Sequence, residues 1–186
     1  MPLNKLTTSI ALAAILALGA CNDKAADNAA PKSEAAKDAA GDATIASGLA
    51  DATKFAAAAK QAGLDATLAG PGPYTVLVPN DAGFDKLPAG ALDTLMKEDA
   101  RAELTGVLTY HILPGAILAA DIDKAIQAGG GKALLPTMAG GTLTASKDGN
   151  AIVISDSAGT KARVVSGDEK KSNGVIHRVD AVLMPS

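Results

Sequence analysis

The stretch SNGVIHRVDAVLMPS, residues 172–186, holds His177, one of two histidines in the 186-residue chain. Strand alternation puts Val175, His177, Val179, Ala181 and Leu183 on one face and Ile176, Arg178, Asp180, Val182 and Met184 on the other. The first face is the more apolar, so the imidazole is expected inside. A buried imidazole must be hydrogen-bonded and is most easily kept neutral, which makes His177 a structural histidine rather than a catalytic one. The opposite face, with Arg178 and Asp180, is expected to be at least partly wet.

Upstream of this strand the same period of two recurs. ALLPTM (133–138), GTLTASK (141–147), NAIVISD (150–156) and TKARVV (160–165) are separated by GG, DGN and SAG, residues that supply the backbone angles of hairpins. They predict an antiparallel meander closed by VIHRVDAVLM. The earlier part of the chain changes period. Ile45, Leu49, Ala52, Phe55, Ala59 and Ala62 line a helical face, with Asp51 placed to cap a second helical piece and Gly63 to end it. Tyr74–Val78 reads as a short strand stopped by Pro79, and Asn80 as the cap of DAGFDKL, anchored by Phe84 and Leu87. Two further helical patterns run through Leu92, Leu95 and Met96, then Leu104, Val107 and Leu108. Helices followed by strands predict an α+β fold, the helical half packed to one side of a small twisted sheet.

The first 43 residues are of a different kind. A basic residue in MPLNK, the apolar run LTTSIALAAILA and then LGAC have the three-part pattern of a secretory leader, too short for a comfortable membrane span. Leu18-Gly19-Ala20-Cys21 resembles the lipobox of bacterial lipoproteins, which predicts residues 1–20 as a signal peptide and Cys21 as the acylated residue; the alternative is an ordinary secretory signal with a stray cysteine. Several acyl chains hold a protein stably on a bilayer where one is marginal. Asn22, rather than Asp, after the cysteine favours the outer membrane by analogy with Gram-negative lipoproteins. Asn22 to Ala43 contains no Val, Ile, Leu or aromatic residue, and such a segment buries too little to offset the entropy of ordering it. Residues 21–43 therefore read as a lipid-bearing tether, spanning on the order of 25 Å as a flexible coil. A transient Ala-rich helix would serve the same spacing.

Composition removes several classes of function. A net charge of −3 and no cluster of Lys or Arg with interleaved aromatics make a nucleic-acid partner unexpected. The lone Cys21 excludes an internal disulfide and a multi-cysteine metal site. A Ser-His-acid constellation has only His111 and His177 as bases, both in apolar strand-like runs, and no GxSxG elbow is present. GGGKA lacks the Ser or Thr and the glycine spacing of a phosphate loop. Asp121 and Asp123 read as helix-start acids rather than a cation site. No catalytic residue, metal site or cofactor is expected.

Three stretches, YTVLVPNDAGF (74–84), LTYHILPG (108–115) and SNGVIHRVDAVLMP (172–185), resemble in order and spacing the first conserved motif, the Tyr-His motif and the second conserved motif of fasciclin domains. GLDATLAGPGP before the first motif belongs to the same likeness, which covers residues 44–186. The resemblance implies a single α+β domain with a β-wedge and a helical side, in which the two outer motifs are neighbouring core strands. It assigns motif roles to Tyr74, Thr75, Asn80, Asp81, Phe84, Asn173, Gly174, His177 and Asp180. It also implies an extracellular or membrane-anchored, non-enzymatic protein of adhesion, with Tyr110, His111 and Asp168 at the positions linked to receptor binding in animal members. Here Asp168 is followed by Glu169 rather than an aliphatic residue, which weakens integrin-type recognition. The expected function is a surface-tethered adhesion module, on the membrane through Cys21, with an unidentified protein or glycan partner. A small-molecule or oligosaccharide binder of the envelope is the alternative and a hydrolase a distant third; the oligomeric state is not legible.

Overall fold

The computed structural model describes residues 43–185, so the leader at 1–20, Cys21 and all of the tether but Ala43 lie outside the described residues. A 3₁₀ turn, Ala46–Leu49, opens the domain and is followed by α1 (Thr53–Ala62), α2 (Asp65–Ala69), β1 (Tyr74–Pro79), α3 (Asp81–Phe84) and α4 (Ala91–Leu95). A second 3₁₀ turn, Glu98–Ala100, leads into α5 (Arg101–Tyr110), β2 (Ile112–Pro114) and α6 (Ala119–Ala128). The remainder is β3 (Lys132–Pro136), β4 (Thr142–Asp148), β5 (Ala151–Ser155), β6 (Lys161–Lys171) and β7 (Gly174–Val179).

The seven strands form one sheet in the order β2-β1-β7-β6-β5-β4-β3. All neighbours are antiparallel except β1 and β7, which run parallel from Tyr74 opposite Gly174 to Pro79 opposite Val179. The two outer motifs are therefore adjacent strands at the heart of the molecule. The sheet curls until its ends approach, and the Met138 N–H donates to Ile112 O across them at 2.8 Å, giving a nearly closed barrel. Val76, Val78 and Ile176 face a core shared with α1 and α5, while Leu77 and Val179 face a second core filled by α6 and the inner side of β3 to β6. A strand covered on both faces needs apolar residues at both parities, as β1 and β7 have.

Burial on both faces corrects the reading of Arg178. It was expected on a partly wet face, but it is only 8 % exposed, because helical residues before α1 close over that side of β7. Charge compensation makes this tolerable: the guanidinium bonds Glu169 at 2.8 Å, Asp51 at 2.7 Å and the Gly48 carbonyl at 2.7 Å. Asp51 is thus not a helix cap. The N-terminus of α1 is capped from a distance by Asp81, which accepts from the Thr53 hydroxyl and the Lys54 N–H. The expected ends hold elsewhere. Gly63 stops α1 in the left-handed conformation at φ 77°, and the Asn80 side chain accepts from the Gly83 N–H at 2.8 Å. Asp121 accepts from the Leu118 N–H at the start of α6. His111 is not in a strand: it is the C-terminal cap of α5, whose Leu104, Val107 and Leu108 spacing carries the helix up to it, and β2 begins one residue later.

Candidate functional site

Gly174 lets β7 start against β1. A Cβ there would lie 1.9 Å from the Tyr74 carbonyl oxygen, so only glycine permits the close parallel approach. The preceding Asn173, 8 % exposed, ties three segments together: its Oδ1 accepts from the Ile45 N–H and its Nδ2 donates to Leu68 O and Gly70 O, each at 2.8 Å. Thr75 on β1 is fully buried and donates to Gly115 O while accepting from the Ile117 N–H. These polar contacts bring the 115–118 segment over His177.

His177 sits beneath that segment with no exposed surface. Its Nδ1 accepts from the Asp168 N–H at 3.2 Å, which leaves Nε2 to donate to Ile117 O at 2.8 Å. Asp168 itself occupies a bulge of β6 at φ 60°, and its carboxylate accepts from the Ala119 N–H at 2.7 Å, capping α6. His111 is wired in the same manner. Nδ1 donates to Val107 O at 2.8 Å, Nε2 accepts from the Leu183 N–H at 3.0 Å, and Phe55 meets the ring edge-on at 6.2 Å. One donor and one acceptor per ring is the complement of neutral imidazole. Burial, against the opposing pull of the Val107 carbonyl and Asp156, lowers the His111 pKa to about 4. Burial also lowers that of His177, against Ile117 O, Asp168 and Glu169.

Tyr110 is 2 % exposed and donates its hydroxyl to Thr142 O at 3.3 Å. Tyr110 and His111 therefore spend their side chains inside the fold, and of the three residues expected at a binding site only Asp168 is exposed. Asp180 accepts from the Arg163 N–H and pairs with Lys86; burial raises its pKa, but these two partners outweigh that effect and hold it below the usual range. Burial likewise disfavours the charged Arg178, yet Glu169 and Asp51 overcome it and raise its pKa. A buried carboxylate that the sequence did not single out, Asp156, accepts from the Thr160 and Met184 N–H groups and fixes the end of the chain path after β7. Its only sequence signal was a lone acid at the end of an apolar strand.

Among the described residues no three His, Cys, Asp or Glu side chains converge as a metal site, and no helix is long and apolar enough to cross a membrane. A cleft of about 260 Å³ lies between Pro71–Pro73, Ala116 and residues 171–174. It opens next to Ala43, whose carbonyl accepts from the Ser172 N–H and marks where the described chain enters the domain.

The sequence pattern of the fasciclin domain matches residues 50–185. The chain belongs to the fasciclin family. Protein sll1483 of Synechocystis sp. is 37 % identical to this fasciclin protein over 142 residues, which are 76 % of this chain and 71 % of that protein. The immunogenic protein MPB70 of Mycobacterium bovis is 32 % identical over 114 residues, covering 61 % of this chain and 51 % of MPB70. The cell surface glycolipoprotein MPB83 of the same species is 34 % identical over 114 residues, 61 % of this chain and 44 % of MPB83. The chain thus spans about half the length of these mycobacterial relatives. The fold is also that of a FAS1 domain pair from the insect cell adhesion molecule fasciclin I, with a TM-score of 0.56 at 20 % identity over 72 % of this chain and 45 % of that one. A cell-surface relative agrees with an exported, envelope location.

Proposed function

We propose that this fasciclin protein is a non-enzymatic adhesion module, held on the cell envelope by acyl chains on Cys21 and displayed on the 22–43 tether to bind a protein or glycan partner. The observation that supports it most is its likeness to a cell surface glycolipoprotein, together with its own lipobox-like LGAC ahead of the matched domain. The histidine wiring supports the non-enzymatic part. Every ring nitrogen of His111 and His177 is bonded to a backbone group, so neither is poised to take a proton from a nucleophile. The test is cell attachment by the wild type and by Cys21→Ala, with a crosslinking pull-down from intact cells. Attachment that needs Cys21 and a captured partner are expected; equal attachment by both forms with no partner captured overturns the proposal.

A further inference from the structure

The sheet of β3 to β6 is covered by α6 on its inner face, where Leu135, Leu143 and Ile154 are fully buried. Its outer face has no helix over it. Strand register arranges the outward side chains in rows. Lys132 stands beside Ser146, Ser146 beside Val153 and Val153 beside Arg163; in the next row Leu134, Thr144, Ser155 and Lys161 stand side by side. At roughly 4.8 Å between strands, a row of four spans about 14 Å. The centre of the face carries small hydroxyl side chains with Val153 between them, the rims carry cations with the exposed Val165 following Arg163 on β6, and no aromatic residue interrupts it.

These groups are available. Among the described residues the hydroxyls of Thr142, Thr144, Ser146 and Ser155 make no hydrogen bond to protein, and Lys132 and Lys161 make no ion pair. Arg163 pairs with Asp148, the acid at the end of the hairpin. The face is therefore net positive on a chain of net charge −3. Leu134, Met138 and Val165 are half exposed, at 50 %, 49 % and 54 %, but they are split between the β3 and β6 rims, and neither is a broad enough apolar edge to seat a protein in a bilayer.

We infer that this outer face docks an acidic polysaccharide, its carboxylates pairing with Lys132 on one rim and Lys161 on the other, and its hydroxyls bonding to the Thr144, Ser146 and Ser155 side chains between them. Fixed hydroxyls on a flat sheet suit the directional hydrogen bonds of a sugar chain, and cations about a row apart suit repeating carboxylates. The inference rests on the adhesive reading above and names the partner's chemistry.

Its test uses full-length Cys21→Ala protein, which leaves the sheet untouched, on immobilised alginate as the polyuronate, with neutral dextran and vesicles containing anionic phosphatidylglycerol alongside. Binding to alginate alone is expected, weakening as salt rises. Lys132→Glu/Lys161→Glu should weaken it at least tenfold with the melting temperature kept, Thr144→Val/Ser155→Ala should weaken it at unchanged salt dependence, and Lys60→Glu/Lys97→Glu on the helical side should leave it unchanged. No alginate binding, equal loss in the helical-side variant, or binding to the vesicles instead overturns the inference. Cell attachment that persists without alginate binding would sink the polysaccharide and spare the adhesion module, whereas alginate binding without attachment would do the reverse.

Discussion

His177 bonds two backbone groups, accepting from the Asp168 N–H and donating to the Ile117 carbonyl. Truncation to alanine removes the ring and strands both, and a buried group left unpaired costs about 1–3 kcal/mol. His177→Ala is therefore expected to lower the unfolding free energy by roughly 2–4 kcal/mol. Chemical denaturation would show it as a lower midpoint, and an unchanged melting temperature would contradict the structural role. Both histidines also make stability depend on acidity. The unfolded imidazole takes up a proton near its ordinary value of 6.5, whereas folded His111 resists until about 4. The stabilising effect of neutral His111 is thus complete above pH 6.5 and lost as the pH falls from there through about 4, on the order of 3 kcal/mol, and the burial of His177 acts in the same direction. Urea midpoints should hold from pH 7.5 to about 6.5 and then fall down to pH 4.5, and a flat profile over the whole range would refute the neutral, buried wiring. The polarity of the His177 face was legible from alternation alone. What the ring is bonded to was not, because its partners lie 9 and 60 residues away in the chain.

At the level of elements, the meander from β3 to β7, the end of α1 and the starts of α3 and α6 could be read from turn residues, alternation and capping groups. Two features escaped because they are long-range pairings. Asp51 and Asp81 both precede helical residues, and only the packing of α3 against α1 decides that Asp81 is the cap. Arg178 reads as a solvent-facing charge until the 3₁₀ turn at Ala46–Leu49 closes over it. Removing it leaves Glu169 and Gly48 O unpaired. Arg178→Ala is expected to cost about 2 kcal/mol, below the 3–5 kcal/mol of a fully buried pair because Glu169 keeps some contact with water. The matching variant Asp51→Ala should cost much less, since that carboxylate is largely exposed. Comparison of the two denaturation midpoints checks the order, and equal losses would place the stabilisation in Asp51 instead. Gly174→Ala is a sharper case. Its methyl would have to displace the Tyr74 carbonyl from the parallel ladder, so the variant is expected to unfold at least several degrees lower or to be recovered mainly as insoluble protein. A melting curve like that of the wild type would show that β1 and β7 can separate at that end without cost.

For the whole molecule, the described domain and the segment before it should behave as independent parts. Cys21 lies outside residues 43–185, and Ala43 is where the chain joins the domain by its bond to Ser172. Cys21→Ala is accordingly expected to move the protein from the detergent phase to the aqueous phase on partition while leaving its melting temperature unchanged. A shift in melting temperature, or a wild type already in the aqueous phase, would contradict the tethered arrangement. Taken alone, the sequence determined the α+β class, the β3 to β7 meander and the family, because periodicity, turn chemistry and short motifs are local properties of the chain. Tertiary structure alone decided that Tyr110 and His111 spend their side chains inside, that Arg178 is a buried clasp, and that Lys132, Thr144, Ser155 and Lys161 share one open face. Each of those outcomes depends on which distant backbone or strand comes alongside, and the register of a sheet sets that only once every strand has found its neighbour.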